Sequence, residues 1–223
     1  MDEKQLLEKI REVARRLRER YPKAYRPGRT PVEQMVFTIL SQNTTDKNAE
    51  RCLENLKELT KGNLLKVPEL PRDKVLGAIR PCGMFNQKLE ALNSVLGDWE
   101  RLEKELKKLS EKEAIKLLTS YPFVGSKTAR VVLTFAFGKN TFPIDTHCFR
   151  VLKRLGIFPE GWSREKISEF MESHFDAEFN RRFHYDLIRL GREFCRARNP
   201  RCKECPLRDL CSYPAKNSPD RGS

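Results

Sequence analysis

No stretch of this chain approaches the ~20 consecutive apolar residues that a membrane-spanning helix needs. Nor does any segment alternate apolar and polar residues convincingly, as a half-buried strand would. The first absence leaves no candidate membrane span, and the second leaves helices as the building material. The N-terminus, MDEKQLLEKIREVARR, is charged and amphipathic and lacks the apolar h-region of a secretory signal. Histidine is scarce, and His147, His174 and His184 are too scattered to offer a second metal site. Seven cysteines is an odd number, and four of them crowd together near the C-terminus, which argues against a disulfide framework and for a reducing, intracellular setting. The other three, Cys52, Cys82 and Cys148, read as small buried hydrophobes.

What is abundant is positive charge. The 223 residues carry 44 Lys+Arg against 31 Asp+Glu, a net +13. A chain this basic is expected to meet a polyanion, nucleic acid first. A surface rich in Lys, Arg and Glu also fits heat-adapted ion-pair networks, but balanced networks do not require such an excess. Residues 11–30 concentrate it, with eight Lys/Arg and two Glu.

Cys195, Cys202, Cys205 and Cys211 form a C-x6-C-x2-C-x5-C run. Thiolates so close in sequence can converge on one soft metal centre, a [4Fe–4S] cluster or zinc. Only one close pair is present, Cys202 and Cys205, whereas zinc sites more often show two; spacing alone leaves both metals open.

Apolar residues recur at helical spacing almost throughout. Leu6, Leu7, Ile10, Val13, Ala14 and Leu17 line one face of a first helix ending before Tyr21-Pro22. Thr30-Pro31-Val32-Glu33 reads as a capping box with proline in the first helical position. A polar break at residues 41–46 precedes a helix with Ala49, Cys52, Leu53, Leu56 and Leu59 facing inward. Shorter helices follow, with Gly83 at a tight turn, and a final helical run over about 164–191 leads into the cysteines. The fold class is all-α, and the polar tail 213–223 reads as mobile.

Residues 119–136, TSYPFVGSKTARVVLTFA, read as helix end, tight turn and helix start. A helix start presents unpaired N–H groups and the positive end of the helix dipole, which suits a phosphate and carries no base information. Lys127 sits there, and partial burial would favour the neutral amine that a Schiff-base nucleophile needs; an exposed lysine binding phosphate by charge is the alternative. Asp145 precedes the helix beginning at Thr146, where an aspartate caps the first amides and is thereby held in a fixed orientation.

Together VGSKTARVVL, PIDTHCFRVLKRLG and the four-cysteine run resemble the helix–hairpin–helix DNA glycosylase superfamily, in particular its endonuclease III branch of bifunctional glycosylase and AP lyases. LSQNTTDKNAER is similar to that branch's L-S-x-x-x-T-D segment, and Gly83-Met84-Phe85-Asn86-Gln87-Lys88 to a further loop. The resemblance spans almost the whole chain. It implies two helical lobes with DNA across the groove between them: a helical barrel with the hairpin over 28–138, and a lobe of 1–27 with 139–212 holding a [4Fe–4S] cluster on Cys195, Cys202, Cys205 and Cys211. It further implies Lys127 and Asp145 as the catalytic pair. Gln42 and Asn43 would fill the gap left by a flipped nucleotide, and Met84, beside Phe85, would be the apolar wedge. The hairpin residues Phe123, Val124, Gly125 and Ser126 would touch DNA. So would Arg196, Arg198 and Arg201, in a loop held stiff by ligation at both ends. His147, one turn from Asp145, would either touch DNA or serve packing or capping. The implied partner is duplex DNA bearing a damaged or mispaired base or an abasic site, bound by a monomer in the cytoplasm or nucleoid.

One position departs from the family. Its hairpin usually reads Leu-Pro-Gly-Val-Gly, and here Phe123 replaces the first glycine, so either the turn changes or a bulky residue is held at positive φ. Two other functions stay in view. A monofunctional glycosylase for mispaired thymine or uracil, or for alkylated bases, would use Asp145 to activate water and leave Lys127 idle. A non-catalytic metal-bearing DNA-binding module would explain the charge and cysteines but neither Lys127 nor Asp145.

Overall fold

The computed structural model describes residues 2–23 and 28–213; the rest of the tail read as mobile, 214–223, lies outside them. Every regular element among the described residues is helical, and none of these helices is long and apolar enough to cross a membrane. The chain divides into two compact units, Pro27–Thr141 and Met1–Arg26 with Phe142–Ser223.

In the contiguous unit, α2 (Pro31–Leu40) and α3 (Asp46–Thr60) lead to α4 (Arg72–Ile79) and a 3-10 turn, Arg80–Cys82. There follow α5 (Phe85–Gly97), α6 (Trp99–Lys108), α7 (Glu111–Thr119) and α8 (Ser126–Ala136). The Thr30 capping box is present: Thr30 Oγ1 accepts from the Glu33 N–H, and the Glu33 carboxylate accepts from the Thr30 N–H. With Pro31 at the first position this fixes where α2 begins. Met35, Ile39, Leu53, Leu92 and Leu133 are fully or almost fully buried in one core, each contributing on the order of 1.5–3 kcal/mol relative to exposure.

The second unit gathers α1 (Glu3–Arg20), α9 (Thr146–Arg154), α10 (Arg164–His174) and α11 (Ala177–Glu193), followed by two short 3-10 turns. The apolar stripe of α1 is buried from Leu6 to Leu17. The run expected as one helix over 164–191 is two. Asp176 accepts from the Phe179 N–H and caps a new helix, a break carrying neither glycine nor proline to announce it.

The basic stretch 11–30 is partly neutralised by its own unit. Arg15 and Arg16 pair with Glu12, Arg16 also reaches Asp209, and Arg20 pairs with Glu193. Cys52 and Cys82 depart from the sequence reading: they form a disulfide, joining α3 to the turn before Gly83. Their separation of 30 residues hides the pairing until α3 packs on that turn. Cys148 is buried, as read from the sequence, with its Sγ 3.4 Å from His184 Nδ1.

Candidate active site and cluster site

Among the described residues, seven of the eleven α-helices begin under a side-chain cap; the four beginning at Arg72, Phe85, Trp99 and Ser126 do not. The starts at Phe85 and Ser126 coincide with loops singled out in the sequence. At α8 the N-cap is Gly125, which has no side chain with which to cap the first amides. Lys127, the second residue of this helix, is exposed rather than partly buried. Its amine is therefore open to a ligand, and desolvation is not what prepares it.

The hairpin keeps its turn despite losing the glycine. Phe123 sits in left-handed backbone, φ 58°, at a cost of about 1–2 kcal/mol for a non-glycine residue. Its ring is 45% exposed. The fold stabilises the turn from outside: Gln42 Nε2 donates to Phe123 O at 3.0 Å and to Thr128 Oγ1 at 3.2 Å. Val124 is buried, with its N–H donating to Tyr121 O, so it seats the hairpin in the core. Ser126 Oγ accepts from the buried Arg130 guanidinium.

Asn43 and Met84 share the left-handed backbone, φ 51° and 48°, and the Asn43 amide donates to Met84 Sδ at 3.1 Å. Met84 is 43% exposed; it and Phe123 are the exposed large hydrophobic residues of the described chain. Phe85, by contrast, packs against the core with the Arg80 guanidinium over its ring, anchoring the loop that presents Met84. One unit thus joins Gln42 to Phe123 and Asn43 to Met84, three of the four on strained, non-glycine backbone. Strain retained in this way is concentrated where a ligand is handled.

Asp145 lies in the other unit as the N-cap of α9, its Oδ1 accepting from the Cys148 N–H at 2.7 Å. Burial alone would raise its pKa, but the electrostatic influence of nearby His184 and the hydrogen bonds from Cys148 outweigh it, and the carboxyl titrates below its ordinary value. Asp145 is thus a fixed negative charge at neutral pH. Burial pushes the pKa of His147 down, and its Nδ1 accepts from Arg150 at 2.9 Å. The neighbouring His184, which sequence reading left aside, hydrogen-bonds Pro143 O through Nδ1 at 2.8 Å.

Cys195, Cys202, Cys205 and Cys211 line one cavity with Arg154, Phe194, Arg208 and Tyr213. Among the described residues no three His, Cys, Asp or Glu side chains gather closely enough to hold a single metal ion. Four thiols lining one cavity, with no three of them close enough for a single ion, fit a multi-iron cluster better than tetrahedral zinc. Burial, reinforced by the other three thiolates, pushes Cys205 up to about 11, so these groups need a cationic centre to stay ionised together. Arg154, which the sequence did not flag, donates to Cys195 Sγ and to the carbonyls of Arg196 and Ala197. Arg196 and Arg198 are exposed on that loop; Arg201 is exposed too but pairs with Glu204.

Two family models match this chain. Residues 36–176 match the HhH-GPD superfamily base excision DNA repair protein, and residues 195–211 the iron–sulfur binding domain of endonuclease III. Endonuclease III of Sulfolobus acidocaldarius is 34% identical over 217 residues, covering 94% of this chain and 95% of that protein. A solved non-covalent endonuclease III–DNA complex superposes with a TM-score of 0.81 at 27% identity, covering 97% of this chain and 98% of that one. A trapped endonuclease III–DNA covalent intermediate gives 0.79 at 26% identity, with the same coverage. An uncapped hairpin helix bearing a lysine, a capping aspartate and a four-cysteine cavity thus occur in one chain whose sequence and fold agree on their origin: it belongs to the HhH-GPD superfamily of base excision DNA repair proteins, in its endonuclease III branch.

Proposed function

We propose that this protein is a base-excision-repair DNA glycosylase with AP lyase activity, acting on damaged, in particular oxidised, or mispaired pyrimidines in duplex DNA. The observation that carries this reading is Lys127, an exposed amine on the first turn of a helix whose N-cap is a glycine. Such a start receives a phosphate through backbone N–H groups, and the lysine beside it is brought to the sugar. Lys127 Nζ attacks C1′, the base leaves with the electrons of its glycosidic bond and takes up a proton, and ring opening gives an imine. Loss of a C2′ proton then expels the 3′ phosphate, nicking the strand.

Asp145, ionised and fixed by its capping bond, stabilises the positive charge that builds on the sugar as the base departs. A carboxylate with a lowered pKa is a weak proton acceptor, so electrostatic stabilisation is its larger part. Gln42, Asn43 and Met84 fill the gap left by the extruded nucleotide, and Phe123 adds apolar surface beside them. Gly125 and Ser126 offer backbone amides to phosphate, while Val124 and Phe85 hold their loops in place and His147 borders Asp145. Lys127 favours this lyase reading over a monofunctional glycosylase, and the catalytic pair favours it over a passive DNA-binding module. The setting is wherever chromosomal DNA lies, the cytoplasm or nucleoid.

Cys195, Cys202, Cys205 and Cys211 hold a [4Fe–4S] cluster, whose contribution is structural bonding that braces the Arg196–Arg201 loop for phosphate contact. Metal analysis of anaerobically purified protein is expected to give about four irons per chain and no zinc; stoichiometric zinc would reject the cluster.

The activity is tested on duplexes each carrying one lesion or mismatch, with base release and strand nicking measured in parallel. The two are expected to rise together on at least one pyrimidine lesion. Base release without nicking would favour the monofunctional alternative, and neither on any substrate the passive module.

A further inference from the structure

Lys88 is a fully buried lysine, 1% exposed, inside the contiguous unit. A lysine is rarely buried so completely, because its ammonium must find compensating partners. Here Nζ donates to Leu40 O at 2.8 Å and to Cys82 O at 2.7 Å. Leu40 is the last residue of α2 and Cys82 the last of the 3-10 turn, so one cation closes the C-terminal ends of two helices. The chain leaves those two ends as Ser41-Gln42-Asn43 and as Gly83-Met84. Burial lowers the amine's pKa to about 8, which still leaves it an ammonium at neutral pH.

We propose that Lys88 is a positioning residue for base extrusion, setting the Gln42-Asn43 loop against the Met84 loop so that both enter the duplex as one plug. Three features favour this over simple packing. An apolar side chain would fill the space without the desolvation that a cation suffers there. The two carbonyls it holds belong to the only two segments that carry the gap-filling residues assigned above. Those segments also touch at their tips, Asn43 to Met84 at 3.1 Å, so an error at the base is carried to the contact that enters DNA. The disulfide partner of Cys82, Cys52 on α3, steadies one side of the same junction. Lys88 touches no reacting atom; it acts through the loops.

The proposal rests on the glycosylase reading and is tested with full-length, cluster-loaded protein. Lys88→Met keeps the length and removes both donors. Extrusion is followed by the fluorescence of 2-aminopurine placed beside a lesion, base excision by single turnover, and Schiff-base chemistry by borohydride trapping on DNA already abasic. The expected result is at least a tenfold slower fluorescence rise and excision, with abasic trapping within threefold of wild type, since no base remains to be extruded. An equal fall in all three, tracking lost thermal stability, would overturn the proposal, as would unchanged extrusion. If Lys88→Met does not fold, Lys88→Gln, which retains a shorter donor, is expected to slow extrusion three- to tenfold; no slowing would overturn the proposal. Wild-type protein inactive in excision and trapping alike would instead remove the glycosylase reading, and this inference with it.

Discussion

Lys127→Ala is expected to bring borohydride trapping on abasic DNA to background and to lower base excision by at least about 10³-fold, because removal of a nucleophile leaves only binding and electrostatic stabilisation. Fold and affinity should survive. Lys127 is exposed and makes no contribution to either core, so thermal unfolding should be nearly unchanged. DNA binding, carried by many phosphate contacts, should fall by no more than the share of one cation. Lys127→Arg sharpens the test, since it keeps the charge but not a competent nucleophile. If phosphate attraction were the residue's whole task, arginine would restore activity. The expected outcome is that it restores binding and leaves trapping at background.

Asp145→Asn is the second large effect, and it separates two roles played by one side chain. Asparagine caps a helix about as well as aspartate, so α9 should persist and the melting temperature change by only a few degrees. Excision should nonetheless slow by about 10²–10³-fold, the usual loss when one element of transition-state charge stabilisation is removed. The pH dependence follows from the lowered pKa. Asp145 is more acidic folded than unfolded, so its stabilising charge is complete above the ordinary aspartate value of about 3.9. That contribution is lost only as pH falls through the lower, folded value. The single-turnover rate should accordingly show no Asp145 limb between pH 7 and about 5. A fall with a midpoint near pH 6 that vanishes in Asp145→Asn would mean that the carboxyl is raised instead, and acts as a proton donor or acceptor.

Much of this was legible in the sequence where local chemistry decides. The Thr30 capping box, the α1 stripe and the cap at Asp145 each depend on neighbours within four residues, and each is present as read. What the sequence left hidden depends on distant groups. Lys88 sits in a polar stretch and gives no sign that two carbonyls 48 and 6 residues away will enclose it. The Cys52–Cys82 pairing is invisible for the same reason. Phe123 is an intermediate case. The clash between its side chain and a glycine turn is plain in the sequence, but which of the two yields is decided by Gln42, 81 residues away, whose amide holds the Phe123 carbonyl and keeps the turn. The sequence left partial burial and exposure of Lys127 both open: the hairpin ends at the unit's surface, and residue 127 is exposed while residues 128–130 are buried.

An attacking amine becomes permanently joined to the sugar when borohydride reduces the imine, which makes its identity directly readable. Peptide mass mapping of the reduced adduct formed with abasic duplex should place the deoxyribose remnant on the peptide containing Lys127 and on no other. An adduct carried by a different lysine or by the N-terminal amine, with Lys127 unmodified, would contradict the mechanism.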